Sequence, residues 1–216
     1  DTRGTDWVSS IRRLPGEKKK KKRYVNYLNE KYENDICLFN KVYSLDAISF
    51  NHLLSHDFSF IPNKNPKIVN DDKGFLNIIS KEINWLVGDT IKKYDPNHLL
   101  FGERYLLRDH PLEVLNASIE YVDVLTLQVG GGYHGKPWTL DDGIYDELEF
   151  NEETFDRLFN LTEKPIYIYD HQCSYPSKDF PNTQWYQCKD LESAVECCEK
   201  FMNKALEKPY IIGYGR

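Results

Sequence analysis

The second half of the sequence alternates short apolar runs with amphipathic helices, and this alternation constrains the fold more than any other feature. Four runs rich in β-branched and aromatic residues are predicted to be strands, at residues 98–102, 121–129, 164–169 and 209–214. Helices are predicted between or beside them at residues 112–120, 151–161 and 191–206. Parallel strands need a crossover connection, so the alternation predicts an α/β fold with a parallel sheet.

Four such strand and helix units are half of an eight-stranded (β/α)8 barrel. A parallel sheet of four strands with two open edges would expose unpaired backbone groups and apolar faces. We therefore expect residues 1–216 to form a single domain, the C-terminal half of a (β/α)8 barrel. The other four strands would then precede Asp1 or come from a partner chain. A complete, small doubly wound sheet is the alternative architecture.

The first half of the sequence is predicted to be helical. Tyr24, Leu28 and Tyr32 recur every four residues and form the apolar stripe of a surface helix. The six basic residues at 18–23 are predicted to be the solvated first turns of this helix rather than a nucleic-acid or targeting patch. Further helices are predicted at residues 35–43, 49–54 and 73–94.

Composition excludes several classes of partner. The formal net charge of −6 argues against binding to a nucleic-acid backbone, which needs a cationic face. No run reaches the roughly 18 apolar residues of a membrane span, so no membrane partner is expected. Fifteen tyrosines and four tryptophans supply flat apolar faces with polar tips, as sugar-binding clefts do. The five cysteines show no CxxC or metal-ligand spacing, so no disulfide scaffold, metal or cofactor is predicted.

The sequence leaves the cellular compartment open. The chain begins at Asp1, and no signal-like apolar segment follows. We expect either that a leader has been removed or that the chain starts inside a larger protein.

Polar side chains follow three of the predicted strands. These residues are Glu103, Arg104 and Tyr105 after the first strand, Gln128 near the end of the second, and Asp170 and His171 after the third. In a closed barrel the carboxyl ends of the strands meet around one mouth, so these residues are predicted to converge on one ligand.

Hydrolysis of a glycosidic bond needs two carboxyl groups, and Asp170 and Glu103 are the candidate catalytic pair. Two alternatives stay open at this point. Asp170 could cap the following turn, and Glu103 could form an ion pair with Arg104 or Arg108 at the mouth.

A glycine triplet at residues 130–132 is followed by Tyr133 and His134 rather than by a helix. It therefore lacks the amides of a helix N-terminus that a phosphate-binding loop requires. We predict a mobile loop that carries Tyr133, His134 and Trp138 towards the ligand. Trp138 and Trp185 are candidate sugar platforms, and packing is an equal alternative for each.

Several segments resemble retaining glycoside hydrolases with (β/α)8 barrels, especially agarase-like and β-galactosidase-like ones. Residues 95–105, DPNHLLFGERY, are similar to a DPNHLILGDRY segment of these enzymes. The segments YVDVL, EKPIYI and PYIIGY are similar to their strands six, seven and eight, at residues 121–125, 163–168 and 209–214. Residues 22–25, 35–36 and 39–40 are similar to the helix after their strand four. The resemblance covers nearly the whole chain in the same order.

The resemblance implies a carbohydrate substrate and a nucleophile at the end of strand seven. The family has a glutamate there, whereas this sequence has Asp170, one methylene shorter. The family's acid/base glutamate ends strand four and would precede Asp1 or be lost. The shorter side chain implies either an inverting mechanism through a water molecule or a relative with altered or absent activity.

The leading hypothesis is therefore a carboxylate-based hydrolase of a polysaccharide or oligosaccharide. His171, Gln128, Tyr133, His134, Trp138, Trp185, Tyr105 and Arg104 are predicted to contact the sugar. The second hypothesis is a glycan-binding relative without catalysis. A third, weaker one is a metal-dependent barrel hydrolase that uses Asp170, His171 and His134, although no His-x-His or Cys pair anchors a metal.

Overall fold

The computed structural model describes residues 8–59, 65–106, 111–129, 138–140, 143–145, 149–171, 173–181 and 188–215. The chain divides into two compact units. The first comprises Asp1–Ile83 and Pro111–Ala117, and the second comprises Asn84–His110 and Ser118–Arg216. The single domain that the sequence predicts stays a prediction.

Helices dominate the first half of the chain. They are α1 (Lys19–Lys31), α2 (Ile36–Tyr43), α3 (Pro66–Tyr94) and α4 (Leu112–Ser118), with short 3-10 helices at Ile11–Arg13 and Asn51–Ser55. The Asp35 side chain caps α2 by accepting a hydrogen bond from the Leu38 amide at 2.9 Å. The helix α3 begins seven residues before its predicted start, because Asn65 accepts from the Lys67 amide and a proline occupies the first helical position.

The first unit has an aromatic core with charged groups buried inside it. Tyr24 and Leu28 of α1 pack with Phe39 of α2 and Phe75 of α3, and all four are buried. Arg12 is fully buried, and its Nη2 donates to both carboxylate oxygens of Asp72 at 2.5 and 2.6 Å. Arg12 and Asp72 are 60 residues apart, so the sequence alone did not reveal this ion pair.

The basic run before α1 is only partly solvated. Lys21 is buried, and its Nζ donates to the His56 carbonyl at 2.5 Å and lies 5.6 Å from the centre of the Phe58 ring. Arg23 forms an exposed ion pair with Glu82. The prediction that residues 18–23 form solvated turns is therefore wrong for Lys21, because the helix turns this one side chain inwards.

The second unit contains a four-stranded parallel sheet in the order β1–β2–β5–β6. Its strands are β1 (Phe101–Leu106), β2 (Val124–Gln128), β5 (Ile166–Tyr169) and β6 (Ile211–Gly215). The helices α5 (Glu152–Thr162) and α6 (Leu191–Leu206) provide the crossovers around β5. The predicted α/β fold, with four parallel strands that alternate with helices, is confirmed.

The first strand lies further along the chain than predicted, at Phe101–Leu106 instead of residues 98–102. The reason is a side-chain contact that takes the place of strand pairing. The Leu100 amide donates to the Asp123 carboxylate at 2.7 Å, and the Leu100 carbonyl accepts from the Asp123 amide at 2.8 Å. Pairing with β2 therefore starts only at Phe101, and its register shifts between Phe101 and Arg104.

Two short antiparallel strands, β3 (Trp138–Leu140) and β4 (Gly143–Tyr145), form a hairpin where the sequence predicts a loop. Among the residues that the structure describes, no helix combines the length and apolar character that crossing a bilayer requires.

Candidate functional site at the carboxyl edge of the sheet

The strand register defines which side chains share a face of the sheet. Arg104, Thr126, Tyr167 and Gly213 pair in one row across the four strands. Leu106, Gln128, Tyr169 and Gly215 pair in a second row, two residues closer to the carboxyl edge. Because side chains alternate along a strand, both rows belong to the same face. We call these two rows the site face.

Asp170 follows the last residue of β5 and marks the carboxyl edge. Its backbone adopts a left-handed conformation with φ of 65°, which is uncommon for residues other than glycine and best tolerated by Asn and Asp. The Asp170 amide donates to the Gly215 carbonyl at 2.9 Å, which holds this conformation at the end of the sheet.

The carboxylate of Asp170 is paired with an arginine of β1, two strands away in the sheet. Arg104 Nη1 donates to Asp170 Oδ2 at 3.1 Å, and the Arg104 guanidinium lies 5.8 Å from the centre of the Tyr169 ring. The Asp170 side chain is 15% exposed, whereas that of Arg104 is 51% exposed. The contact therefore fixes the carboxylate while one side of the guanidinium stays open to a ligand.

Gln128 brings a polar group to the middle of the site face. The residue is 7% exposed and sits beside Tyr169 in the strand register. Its side-chain oxygen is buried and accepts no hydrogen bond from the described part of the chain. Buried amide oxygens are nearly always hydrogen-bonded, so this oxygen is suited to accept from a ligand hydroxyl or a water.

Aromatic rings cover the rest of the site face. Tyr167 contacts Phe101 of β1 edge to face, with ring centres 5.6 Å apart. A Cβ at Gly213 would lie 2.6 Å from the Tyr167 ring, so the glycine makes room for this ring over β6. Tyr169 and Phe101 are about two-fifths exposed. The face therefore offers flat apolar surface beside the Arg104–Asp170 pair.

Glu103 does not join this group. It lies inside β1, three residues before the strand ends, so the prediction that it ends a strand is wrong. The register puts it about four residues below Asp170 and two strands away, which separates the two backbone positions by roughly 16 Å. The carboxyl groups of a glycosidase are about 5–9.5 Å apart. The geometry thus gives no support to Glu103 as the catalytic partner of Asp170.

Tyr105 and His171 lie on the opposite, helical side of the sheet. Both are buried, and burial raises the pKa of Tyr105 to about 12. His171 Nδ1 lies 2.9 Å from the Tyr214 hydroxyl, and its ring stacks on Phe201 of α6 with centres 3.9 Å apart. The contact of Tyr105 and His171 with a substrate stays a prediction, and their position on the helical side of the sheet does not favour it.

Four further predicted positions cannot be placed beside Asp170. Tyr133, His134 and Trp185 lie outside the described residues. Trp138 belongs to β3, but its side chain is also outside the described part of the structure. Their roles remain predictions.

Sequence reasoning missed one group of residues entirely. Cys173, Cys188, Cys197 and Cys198 come together beside His171. No standard metal-ligand spacing connects them. The only signal was their density, with four of the five cysteines inside residues 173–198.

Solved structures with a similar fold include two agarases. An exo-beta-agarase matches 95% of this chain with a TM-score of 0.70 and 18% sequence identity. The agarase AgWH50C matches 96% of this chain with a TM-score of 0.73 and 18% sequence identity. A protein named PfGH50B matches with a TM-score of 0.68 and 22% identity over 90% of the chain. The fold is that of a partial (β/α)8 barrel.

The chain spans about a quarter of the length of these proteins, 25% for two of them and 27% for AgWH50C. At this identity the similarity shows the fold alone. No family model and no curated protein matches the sequence.

Proposed function

We propose that the site face binds a carbohydrate and that the protein is a glycoside hydrolase in which Asp170 is the nucleophile or base. The observation that carries the proposal is the placement of the Asp170 carboxylate at the carboxyl edge of β5, fixed by Arg104 beside exposed aromatic rings. In barrels built from parallel strands, this edge is where ligands bind and catalytic groups gather.

The site face has the chemistry that sugars require. A sugar ring presents an apolar C–H surface and a rim of hydroxyls. Tyr169 and Phe101 supply partly exposed aromatic faces for the C–H surface of the sugar. The Gln128 oxygen supplies a hydrogen-bond acceptor for its hydroxyls, and the Arg104 guanidinium supplies donors. The fold similarity to agarases makes an agar-type galactan the first substrate to test.

The ion pair with Arg104 holds the Asp170 carboxylate in place. Hydrolysis of a glycosidic bond needs one carboxyl group as nucleophile or general base and a second as proton donor. We assign the first role to Asp170, so the proton donor would be another carboxyl group, contributed from outside the described residues.

The second candidate function is carbohydrate binding without hydrolysis. The same ion pair favours it, since a carboxylate held by an arginine is a weaker nucleophile than an unpaired one. The site face would then retain its aromatic rings and Gln128, and no reaction would follow.

Replacement of Asp170 by Asn tests the proposal in the full-length protein. We expect release of reducing ends from agar-type and related polysaccharides to fall by about 10³-fold or more, as it does when a catalytic group is removed. Asp179→Asn is the matched control, because Asp179 is an exposed aspartate on the same segment after β5. Unchanged turnover in Asp170→Asn would remove this residue from the mechanism. Glycan binding without product in the wild-type protein would favour the second function.

A further inference from the structure

Four thiols and an imidazole form a cluster outside the site face. The ligand atoms of Cys173, Cys188 and Cys197 all lie within 4.8 Å of one another, with Cys173 Sγ and Cys197 Sγ 3.3 Å apart. His171, Cys173 and Cys198 form a second group within the same limit, so Cys173 belongs to both. All five cysteines of the chain lie in described residues, and none forms a disulfide.

The spacing of the first group matches a metal site. A tetrahedral zinc ion holds thiolate sulfurs at about 2.3 Å, which places neighbouring sulfurs about 3.8 Å apart. The observed separations of Cys173, Cys188 and Cys197 run from 3.3 Å to at most 4.8 Å and bracket this value. Changes of at most about 1 Å in these separations would therefore bring the three sulfurs into coordination.

The environment of the thiols gives a reason for a metal to bind there. Cys188 is buried, while Cys173 and Cys197 are half-buried. Thiols are weak hydrogen-bond donors and acceptors and gain little from one another. A zinc ion would replace these weak contacts with strong bonds to thiolates.

The backbone holds the three cysteines in place without the metal. The Cys188 amide donates to the Ser174 carbonyl at 2.6 Å, which ties the chain before α6 to the segment after β5. Asp190 and Ser193 form a capping box that fixes the start of α6, and Cys197 lies two turns into that helix. The ligands thus come from three backbone positions that hydrogen bonds already orient.

Two pockets border the cluster. Cys173 and Cys198 line a pocket of 410 Å³, and Cys197 lines another of 270 Å³. These pockets provide entry paths for an ion. Adjacent residues of a helix point in directions about 100° apart, so Cys198 faces a different side of α6 from Cys197.

We propose that Cys173, Cys188 and Cys197 bind one zinc ion as thiolates, with a fourth position open to water. The ion would fasten the segment after β5, which begins with Asp170, to the helix α6. The proposal is independent of the glycosidase assignment, because it rests on the cysteines alone. His171 and Cys198 belong to the second group with Cys173, and the proposal gives them no ligand role for this ion.

Zinc content and cobalt substitution test the site. The full-length protein is purified under reducing conditions, stripped with a chelator, desalted and reloaded with one equivalent of zinc or cobalt. We expect one metal ion per chain by elemental mass spectrometry, thiolate-to-cobalt charge-transfer absorption in the near ultraviolet, and a higher thermal midpoint with zinc than without it. The last expectation follows because the ion binds the folded chain and not the unfolded one.

Variants separate the proposed ligands from their neighbours. Cys188→Ser should lose the bound metal, and Cys173→Ser serves as a second test if circular dichroism shows that the first variant does not fold. Cys37→Ser, at an exposed position in the first unit, and Cys198→Ser should each retain one equivalent.

Three results would overturn the proposal. They are a desalted wild-type protein without metal, a Cys188→Ser protein that keeps it, and a Cys173–Cys197 disulfide in the protein purified under reducing conditions.

Discussion

The buried ion pair of the first unit yields the sharpest prediction for stability. Arg12 is fully buried, donates to both oxygens of Asp72, and also lies 3.1 Å from the Tyr24 hydroxyl. Burial alone would lower the pKa of Arg12, but Tyr24 and Asp72 together hold it above its ordinary value. Arg12→Met keeps an apolar stem and removes the guanidinium with its charge and hydrogen bonds, so it leaves the Asp72 carboxylate buried without its counter-ion.

Removal of one partner from a buried ion pair costs about 3–5 kcal/mol. We expect Arg12→Met to reduce the free energy of unfolding by this amount, a large share of the roughly 5–15 kcal/mol of a typical domain. Arg12→Met combined with Asp72→Asn removes both charges and should recover at least about half of the loss, because no buried charge remains. In that double variant Tyr24 can still donate to the amide oxygen that replaces the carboxylate at position 72.

Urea denaturation followed by circular dichroism measures these differences, and hydrogen exchange of α1 assigns them to the first unit. Arg13→Met is the matched control, since Arg13 is the exposed neighbour of Arg12. The control should change stability by no more than about 0.5 kcal/mol. An Arg12→Met protein as stable as Arg13→Met would refute the reasoning.

Two further predictions concern the sheet. Gly213→Ala should destabilise the second unit by about 1–3 kcal/mol, because the added Cβ would meet the Tyr167 ring. Urea denaturation measures this loss. If the variant unfolds at the same urea concentration as the wild type, the ring moves aside freely and the prediction is wrong. The hydrogen bond from the Leu100 amide, and after it Lys92, lower the pKa of Asp123 in the folded protein. The ionised carboxylate therefore stabilises the fold at pH values above its unfolded pKa of about 3.9. This stabilisation is lost as the pH falls through the lower pKa of the folded state. Asp123→Asn should therefore be less stable than the wild type at pH 7, and the difference should shrink below about pH 4; a gap that is constant with pH would contradict the assignment.

The strands and helices were predictable where periodicity is strong and local. The predicted helix at 191–206 coincides with α6, Leu191–Leu206, because its apolar spacing and the Asp190 cap are both visible in the sequence. The order of strand and helix also sufficed for the parallel sheet. The start of β1 was predicted too early, because the Asp123 side chain, distant in sequence, replaces strand pairing at Leu100.

The candidate site was predictable only in part. Asp170, Arg104 and Gln128 were named because polar residues at strand ends converge in a parallel sheet, and the register brings them to one region. Glu103 was assigned through the misplaced end of β1. His171 was taken for a residue of the mouth, whereas the turn after Asp170 directs it towards the helices.

Buried charges and the thiol cluster lay beyond sequence reasoning for a shared reason. Arg12 meets Asp72 across 60 residues, and Cys173 meets Cys197 across 24 residues. Such contacts depend on how helices and loops pack, and no local pattern encodes them. They can be identified only after the elements are placed in three dimensions.

Carbohydrate binding to the site face is the central claim, and one affinity comparison tests it most directly. Tyr169→Ala removes a site-face ring that is 41% exposed, and Tyr175→Ala removes a ring of similar exposure, 37%, beyond Asp170. In calorimetric titrations of the full-length protein with agar-type oligosaccharides, we predict that Tyr169→Ala weakens binding about tenfold or more, because stacking of an aromatic ring contributes over 1 kcal/mol. The Tyr175→Ala protein should bind like the wild type. Equal affinities for Tyr169→Ala and the wild type would contradict the account.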